Sequence, residues 1–203
     1  MRQPYDNSIT VNNESTILEN FQIRSQHAYA SLSHQKNIAY GEHPRQILDF
    51  FPLENARGNV VFIHGGYWQW CNHNDFAFIA NACLQHGYQC ILIEYPLAPD
   101  HNLTEIIASI QGALSFIETM YAKNDLIAVG HSAGAHLLAN FLDTRCIKHF
   151  HLLSGIYDLN PIRHTHLNHA LQLRQSEIVT YSPVLQNITI NHAQVSIVYG
   201  DQE

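Results

Sequence analysis

The feature that most constrains the fold is a series of short, mostly apolar runs that alternate with segments of helical periodicity. A strand covered by helices on both faces has no polar side with which to alternate, so such runs are typical of a parallel sheet between two helical layers. The sequence therefore predicts an α/β fold, with a mostly parallel sheet covered by helices. The five runs are Val60–Ile63, Cys90–Ile93, Leu126–Val129, Phe150–Leu153 and Val195–Tyr199.

The clearest helical segment lies between the second and third of these runs. Apolar residues recur there with a period of 3.6 residues from Ile106 to Tyr121. Asn102 is suited to cap the start of a helix, and Glu105 three residues later completes the pattern of a capping box. The pattern predicts a capped amphipathic helix between two strands of the sheet.

The N-terminal region differs from the rest of the chain. Residues 1–40 carry a weaker helical stripe that includes Phe21 and Tyr29, which predicts a helical N-terminal extension. Gln46–Pro52 has the character of a strand and residues 54–59 that of a turn, so we expect an antiparallel edge hairpin that leads into the core sheet. No linker interrupts residues 1–203, which favours a single domain.

The charge balance bears on the partners. Ten Lys and Arg residues stand against 17 Asp and Glu residues, a formal net charge of −7. Nucleic acid and anionic membranes are therefore poor candidate partners, and no apolar stretch approaches the ~18 residues of a membrane span. We expect a soluble, cytoplasmic protein that acts on a small-molecule substrate. Its oligomeric state is left open, with a homodimer among the alternatives.

Cysteine and histidine spacing argues against a disulfide framework and a metal site. The four cysteines lie far apart and form no C-x-x-C pair, which favours free thiols. The closest histidine cluster, His164, His166 and His169, lacks the spacing of a helical H-E-x-x-H site. We expect neither a metal nor another cofactor.

The strongest chemical signal is the sequence GHSAG at residues 130–134, directly after the third apolar run. In a nucleophile elbow, a serine occupies a strained turn between a strand and a helix, and its neighbours must be nearly free of side chains. Gly130 and Gly134 meet that demand and indicate Ser132 as a nucleophile. The alternative is a serine that only caps a helix.

A second motif, HGGYW at residues 64–68, directly follows the first apolar run. A loop with two glycines at the end of a strand can turn backbone N–H groups towards a developing oxyanion. The predicted donors are either Gly66 and Tyr67 or Gly65 and Gly66, together with Ala133. Both motifs end strands in the order expected of one shared active site.

The combination of HGGYW and GHSAGAHL resembles the kynurenine formamidase (arylformamidase) branch of the α/β-hydrolases, close to the hormone-sensitive-lipase-like esterases. Further similar stretches are YGEHPRQILD at residues 40–49, SGIYDL at 154–159 and YSP at 181–183. The resemblance implies an α/β-hydrolase fold and a serine nucleophile at Ser132.

The resemblance also implies a triad acid after the run Val195–Tyr199, and a histidine further along the chain. The acid would be Asp201 or Glu203, with Asp201 favoured and Asp158 as a fallback that more naturally orients a turn. The sequence as given ends at Glu203, and none of its residues can be assigned as that histidine. His131 is expected to face away from the nucleophile and His136 to pack within the scaffold. We therefore expect a truncated copy that lacks the last strand, the histidine loop and the final helix.

The resemblance suggests cleavage of N-formylkynurenine to kynurenine and formate. A short-chain carboxylesterase and a catalytically inactive, truncated hydrolase-like protein are the alternatives. His64, Trp68 and Tyr95 are the predicted substrate-binding residues, and Tyr67 and Trp70 are further aromatic candidates. Packing in the core or at the rim is the alternative role for these aromatic side chains.

Overall fold

The computed structural model describes residue 5, residue 11 and residues 13–121, 125–188 and 190–200. These residues form a seven-stranded sheet flanked by helices. The strands are β1 (Gln35–Ala39), β2 (Ile47–Phe51), β3 (Gly58–Ile63), β4 (Tyr88–Ile93), β5 (Leu126–His131), β6 (Ile147–Leu153) and β7 (Gln194–Val198). The helices are α1 (Glu14–Ser31), α2 (Ile79–Gln85), α3 (Leu103–Tyr121), α4 (Ala133–Ala139), α5 (Asn168–Leu171) and α6 (Gln175–Tyr181).

The strand order is β1-β2-β4-β3-β5-β6-β7. The strands from β4 to β7 in this order are parallel, whereas β2 is antiparallel to both β1 and β4. The prediction of a mostly parallel sheet is confirmed, and each of the five apolar runs overlaps a strand. The ends of β3 and β5, which carry the two motifs, are adjacent because these strands are neighbours.

Alternate residues of the central strands supply two separate apolar layers. On β3, Val61 and Ile63 pack on the side of α3 and α4, whereas Val60 and Phe62 pack on the side of α1 and α2. This is why the strand is apolar at consecutive positions: both of its faces are covered, and all six of its residues are buried.

Helix α3 begins as the sequence predicts. The Asn102 side chain accepts a hydrogen bond from the Glu105 N–H (3.1 Å), and the Glu105 carboxylate accepts one from the Asn102 N–H (3.0 Å). This reciprocal pair is a capping box, and it satisfies two N–H groups that the first turn leaves without intrahelical partners. None of the described helices is long and apolar enough to cross a membrane.

The N-terminal region differs from the prediction in two respects. The helix ends at Ser31, and Gln35–Ala39 is a strand, so the extension is not helical throughout residues 1–40. The hairpin is formed by β1 and β2, and β2 continues the sheet by pairing with β4 and not with β3. The physical reason is that β3 already has parallel partners on both edges, β4 and β5.

The prediction of free thiols is confirmed: all four cysteines are unbridged. Cys83 and Cys90 are buried, and Cys71 and Cys146 are partly buried.

Candidate active site

Ser132 occupies a sharp turn between β5 and α4. Its backbone angles are φ 53° and ψ −117°, outside the regions that residues with a Cβ ordinarily adopt. The turn is held by the Ser132 N–H, which donates to the Leu153 carbonyl (2.8 Å), and by the Ser132 carbonyl, which accepts from the N–H groups of Ala135 and His136. Such strain persists only where the surroundings enforce it, and it clusters at functional sites.

The two glycines of the motif are required by close backbone contacts. A Cβ at Gly130 would lie 2.6 Å from the Cα of Ala135, in the first turn of α4. A Cβ at Gly134 would collide with the carbonyl groups of Ile63 and His64, at the end of β3. The glycines therefore let α4 start directly against both strands, which brings the two motifs together.

The HGGYW loop lies against Ser132. A Cβ added to Gly65 would stand 3.0 Å from the Cβ of Ser132, so the loop backbone passes directly beside the nucleophile candidate. Gly66 has φ +114°, and its carbonyl accepts hydrogen bonds from the N–H groups of Gln69 (2.9 Å) and Trp70 (3.0 Å). A β-turn-like reversal of this kind requires the conformational freedom of glycine.

This geometry is suited to an oxyanion hole. Among the described residues, the N–H of Gly66 has no hydrogen-bond acceptor. Ala133 is the first residue of α4, so its N–H precedes the intrahelical hydrogen bonds. The predicted donors Gly65, Gly66, Tyr67 and Ala133 thus lie on the two segments that flank Ser132.

Three of the predicted substrate-binding residues lie inside the protein, which corrects that prediction. The side chains of His64, Trp68 and Tyr95 are fully buried and have no surface to offer a substrate. The Tyr95 hydroxyl donates to the His64 carbonyl (2.8 Å), and the two rings stack with centroids 4.4 Å apart. These residues form the scaffold beneath the loop, the alternative that the sequence had left open.

The buried indole N–H of Trp68 is paired with a histidine of α4. The indole nitrogen donates to His136 Nδ1 (3.2 Å), and His136 Nε2 lies 2.8 Å from the Tyr181 carbonyl. Nδ1 therefore accepts and Nε2 carries the proton. Burial lowers the pKa of His136 to about 4, which keeps the ring neutral. The scaffold role expected for His136 agrees with these contacts.

The structure places the other predicted histidine and acids as follows. The His131 ring lies 6.4 Å from the Phe76 ring, in the layer that α1 and α2 cover. Asp158 accepts a hydrogen bond from the Asn160 N–H (2.9 Å) and so orients the turn after β6. The triad acid candidates Asp201 and Glu203 lie outside the described residues. Within the described ranges, no histidine forms a hydrogen bond with the Ser132 hydroxyl.

A charge cluster beneath the loop was not predicted from the sequence; it is formed by the buried Asp49, His73 and Glu94 and the partly buried Arg45. The His73 ring bridges the two carboxylates: Nδ1 lies 2.9 Å from Glu94 Oε2, and Nε2 lies 3.3 Å from Asp49 Oδ1. Arg45 Nη2 lies 2.7 Å from Glu94 Oε1. One signal was available, since Glu94 is a charged residue directly after a buried apolar run.

The hydrogen bonds of this cluster outweigh the effect of burial on each charge. Burial lowers the pKa of His73, but the close contact with the Asp49 carboxylate and the hydrogen bond to Glu94 raise it to about 9. Burial raises the pKa of Glu94, but hydrogen bonds with His64 and His73 lower it well below its usual range. Burial raises the pKa of Asp49, but the contact with His73 and the hydrogen bond from Tyr29 lower it below its usual value. His73 is therefore a cation held between two carboxylates.

We expect the stability of the fold to fall as the pH rises from 6.5 to about 9, in proportion to the loss of the His73 proton. The folded pKa is above the unfolded one, so the contribution is complete below pH 6.5 and disappears as the pH passes 9. Its upper bound is about 3 kcal/mol. The groups that face His73 are Asp49 and Glu94, with Tyr29 and Arg45 bound to those carboxylates and His64 to Glu94.

The measurement is the free energy of unfolding by urea between pH 6 and 9.5, for wild type and for His73→Gln. The variant should be less stable at pH 6.5, and its stability should depend less on pH in this window. His86→Gln, at an exposed histidine, is the matched control and should retain the wild-type pH dependence. An unchanged pH dependence in His73→Gln would contradict the charge assigned to His73.

The family of this chain follows from its comparison with models of protein families. The BD-FAE family model matches residues 48–151, slightly more than half of the chain. The chain belongs to the BD-FAE family. The matched range contains both the HGGYW loop and the Ser132 turn, so the BD-FAE assignment covers the candidate site.

Curated relatives of this BD-FAE chain include kynurenine formamidases. That of Drosophila melanogaster is 34% identical over 112 residues, which is 52% of this chain and 37% of the relative. That of Salmo salar is 31% identical over 112 residues, 53% of this chain and 38% of the relative. The aligned part thus spans less than two-fifths of these relatives. The chain is similar to kynurenine formamidases in this part, as the motifs indicate.

Solved structures confirm the α/β-hydrolase fold of the BD-FAE chain. A Silicibacter protein described as a candidate thioesterase has a TM-score of 0.91 at 25% identity, covering 97% of this chain and 79% of its own. Esterase B from Lactobacillus rhamnosis has a TM-score of 0.72 at 15% identity, covering 90% of this chain and 73% of its own. The second likeness concerns the fold alone.

Proposed function

We propose that this protein is a serine hydrolase that removes a small acyl group from an aromatic amine, with N-formylkynurenine as the first candidate substrate. The observation that carries the proposal is the strained turn at Ser132, with the Gly65–Gly66 backbone directly beside it. A nucleophile and backbone donors in one place are what acyl transfer requires.

In the proposed reaction, the Ser132 oxygen attacks the formamide carbonyl and its proton passes to a histidine base. The tetrahedral oxyanion accepts hydrogen bonds from Gly66, a flanking residue of the loop and Ala133. Collapse breaks the C–N bond, the arylamine leaves with a proton, and the formyl group remains on Ser132. Water then attacks this ester and releases formate. Asp201 is the proposed acid partner of the base, with Glu203 as the alternative.

The aromatic surface beside the loop supports an aryl leaving group. Trp70 is 47% exposed and Tyr67 is partly buried, and their rings meet edge to face with centroids 5.7 Å apart. They are the two aromatic candidates that have accessible surface, whereas Trp68 and Tyr95 have none. A flat ring can pack against such a pair. The kynurenine formamidases among the relatives support the same substrate class.

A short-chain carboxylic ester is the second candidate substrate. Ser132 and the oxyanion loop would serve an ester carbonyl as well as a formamide, because fold and motif do not fix the leaving group. The 28% identity with Esterase LipC of Mycobacterium tuberculosis over 119 residues favours this alternative.

The test compares kcat/KM of the full-length protein for N-formylkynurenine with that for p-nitrophenyl acetate. We expect N-formylkynurenine to be preferred by about tenfold or more, which corresponds to ~1.4 kcal/mol in the barrier. Trp70→Ala should reduce that preference. Met120→Ala, which also truncates an exposed apolar side chain but on α3, is the matched control and should retain it. A preference for the ester would favour the carboxylesterase, and no turnover of either would favour an inactive hydrolase-like protein.

A further inference from the structure

Glu94 is the centre of the charge cluster beneath the oxyanion loop. Its side chain is almost fully buried directly after β4, and both of its oxygens are occupied. Oε1 accepts hydrogen bonds from Arg45 Nη2 (2.7 Å) and the Tyr95 N–H (2.8 Å), and Oε2 accepts from the N–H of His73 (3.0 Å) and from its Nδ1 (2.9 Å). So many donors, two of them cationic, stabilise an ionised carboxylate.

The ring of His64 lies between this carboxylate and the oxyanion loop. Its Nε2 is 3.2 Å from Glu94 Oε1, and its Nδ1 is 2.7 Å from the Gly65 carbonyl oxygen. A carbonyl and an ionised carboxylate only accept hydrogen bonds. Both ring nitrogens must therefore donate, which requires the doubly protonated, positively charged ring. A fully buried cation needs a charged partner, and Glu94 supplies it.

The hydrogen bond from His64 reaches the peptide group that carries the oxyanion donor. The Gly65 carbonyl and the Gly66 N–H belong to one peptide unit, which is trans, so the two bonds point in opposite directions. A cation that binds the carbonyl oxygen fixes the plane of this unit and strengthens its N–H as a donor, because hydrogen bonds in a chain polarise one another. The Gly66 N–H then points away from His64.

We propose that Glu94 is a positioning residue for the oxyanion loop, which keeps His64 doubly protonated against the Gly65 carbonyl and thereby aims the Gly66 N–H at the substrate oxygen. This role rests on the proposed function, because it assigns the Gly66 N–H to the oxyanion. Neither Glu94 nor His64 touches the substrate, since both are buried. Their effect passes through the Gly65–Gly66 peptide.

A purely structural role for Glu94 would also destabilise the loop when the residue is changed, so the test needs a matched buried carboxylate elsewhere. Glu177 on α6 is equally buried and accepts hydrogen bonds from Arg174 and from Thr104, at the start of α3. It contacts neither the loop nor Ser132 in these bonds. Glu177→Gln therefore reports the cost of neutralising a buried carboxylate without any effect on His64.

The first measurement is the protonation of His64 by ¹⁵N NMR of histidine-labelled full-length protein at pH 8. The signal is assigned by its loss in His64→Gln. We expect both ring nitrogens of His64 to carry protons in wild type and in the control Glu177→Gln. In Glu94→Gln, only one of the two nitrogens should carry a proton. A singly protonated His64 in wild type, or an unchanged double protonation in Glu94→Gln, would overturn the proposal.

The second measurement is steady-state kinetics with N-formylkynurenine and p-nitrophenyl acetate. Glu94→Gln should lower kcat by about 10- to 100-fold with KM changed less than about threefold, as expected for an interaction made in the transition state. Glu177→Gln should stay within about threefold of wild type. A kcat loss shared equally by both variants would overturn the proposal in favour of general destabilisation. If wild type hydrolysed neither substrate, the proposed function would fail, and the NMR result would still decide the charge of His64.

Discussion

Replacing Ser132 with alanine is expected to lower the kcat of the full-length protein by a factor on the order of 10⁴ or more for both the formamide and the ester. Ser132 is the only residue of the proposed mechanism that forms a covalent bond with the substrate. Without its oxygen, water must attack directly, assisted only by the oxyanion loop and by binding. The change removes one oxygen atom and keeps the Cβ, so the strained turn at φ 53° should persist.

The comparison uses kcat and KM from initial rates, with the unfolding temperature as a check on the fold. Ser115→Ala, on the exposed side of α3, is the control for the loss of a serine hydroxyl and should match wild type. Activity of Ser132→Ala within a few-fold of wild type would mean that another group is the nucleophile.

Substituting Gly66 with alanine is expected to lower kcat by about 10² or more for either substrate, with a smaller effect on KM. At φ +114° a side chain is strained, and the added methyl group would collide with the Trp70 carbonyl. The loop must therefore shift, which moves the Gly66 N–H away from the position of the oxyanion. An effect limited to KM would instead indicate that the loop only binds substrate.

Gly112→Ala is the matched control for this change. Gly112 lies within α3, where an added methyl group would meet only the Tyr40 ring at 4.0 Å. Alanine is favoured over glycine inside a helix by about 1 kcal/mol, so this variant should be as stable as wild type or more so, with unchanged kcat. Kinetics and thermal unfolding of the two variants together separate a local effect on the site from the general cost of a methyl group.

Much of the fold could be predicted because its signals are local. A strand buried on both faces must be apolar at successive positions, as β3 is, and a capping box needs only two residues three positions apart, as Asn102 and Glu105 are. The strand β1 escaped prediction for the opposite reason. Of its five residues only Ile38 is partly buried, so its strand conformation is stabilised by pairing with β2 and not by an apolar pattern.

The candidate site divides in the same way. The positions of Gly130, Ser132 and Gly134 follow from a motif. Its glycines are explained by contacts with residues four or five positions further along, or with the end of the neighbouring strand β3. The burial of Trp68 could not be foreseen, because it depends on the positive φ of 61° that turns its ring towards His136, 68 positions along the chain. The Glu94 cluster likewise joins side chains from distant segments, and no sequence spacing reveals such a meeting.

The central place of β5 in the sheet has a consequence for the motions of the site. With β3 and β6 paired along its two edges, β5 cannot fray, and its amide groups open only when the sheet itself opens. The strain at Ser132 therefore cannot be relieved by a small local movement, because both β5, which precedes the turn, and α4, which follows it, are held in place. Adaptation to the shape of a substrate then falls to the loops around the turn, and we expect the turn itself to be among the more slowly exchanging parts of the domain.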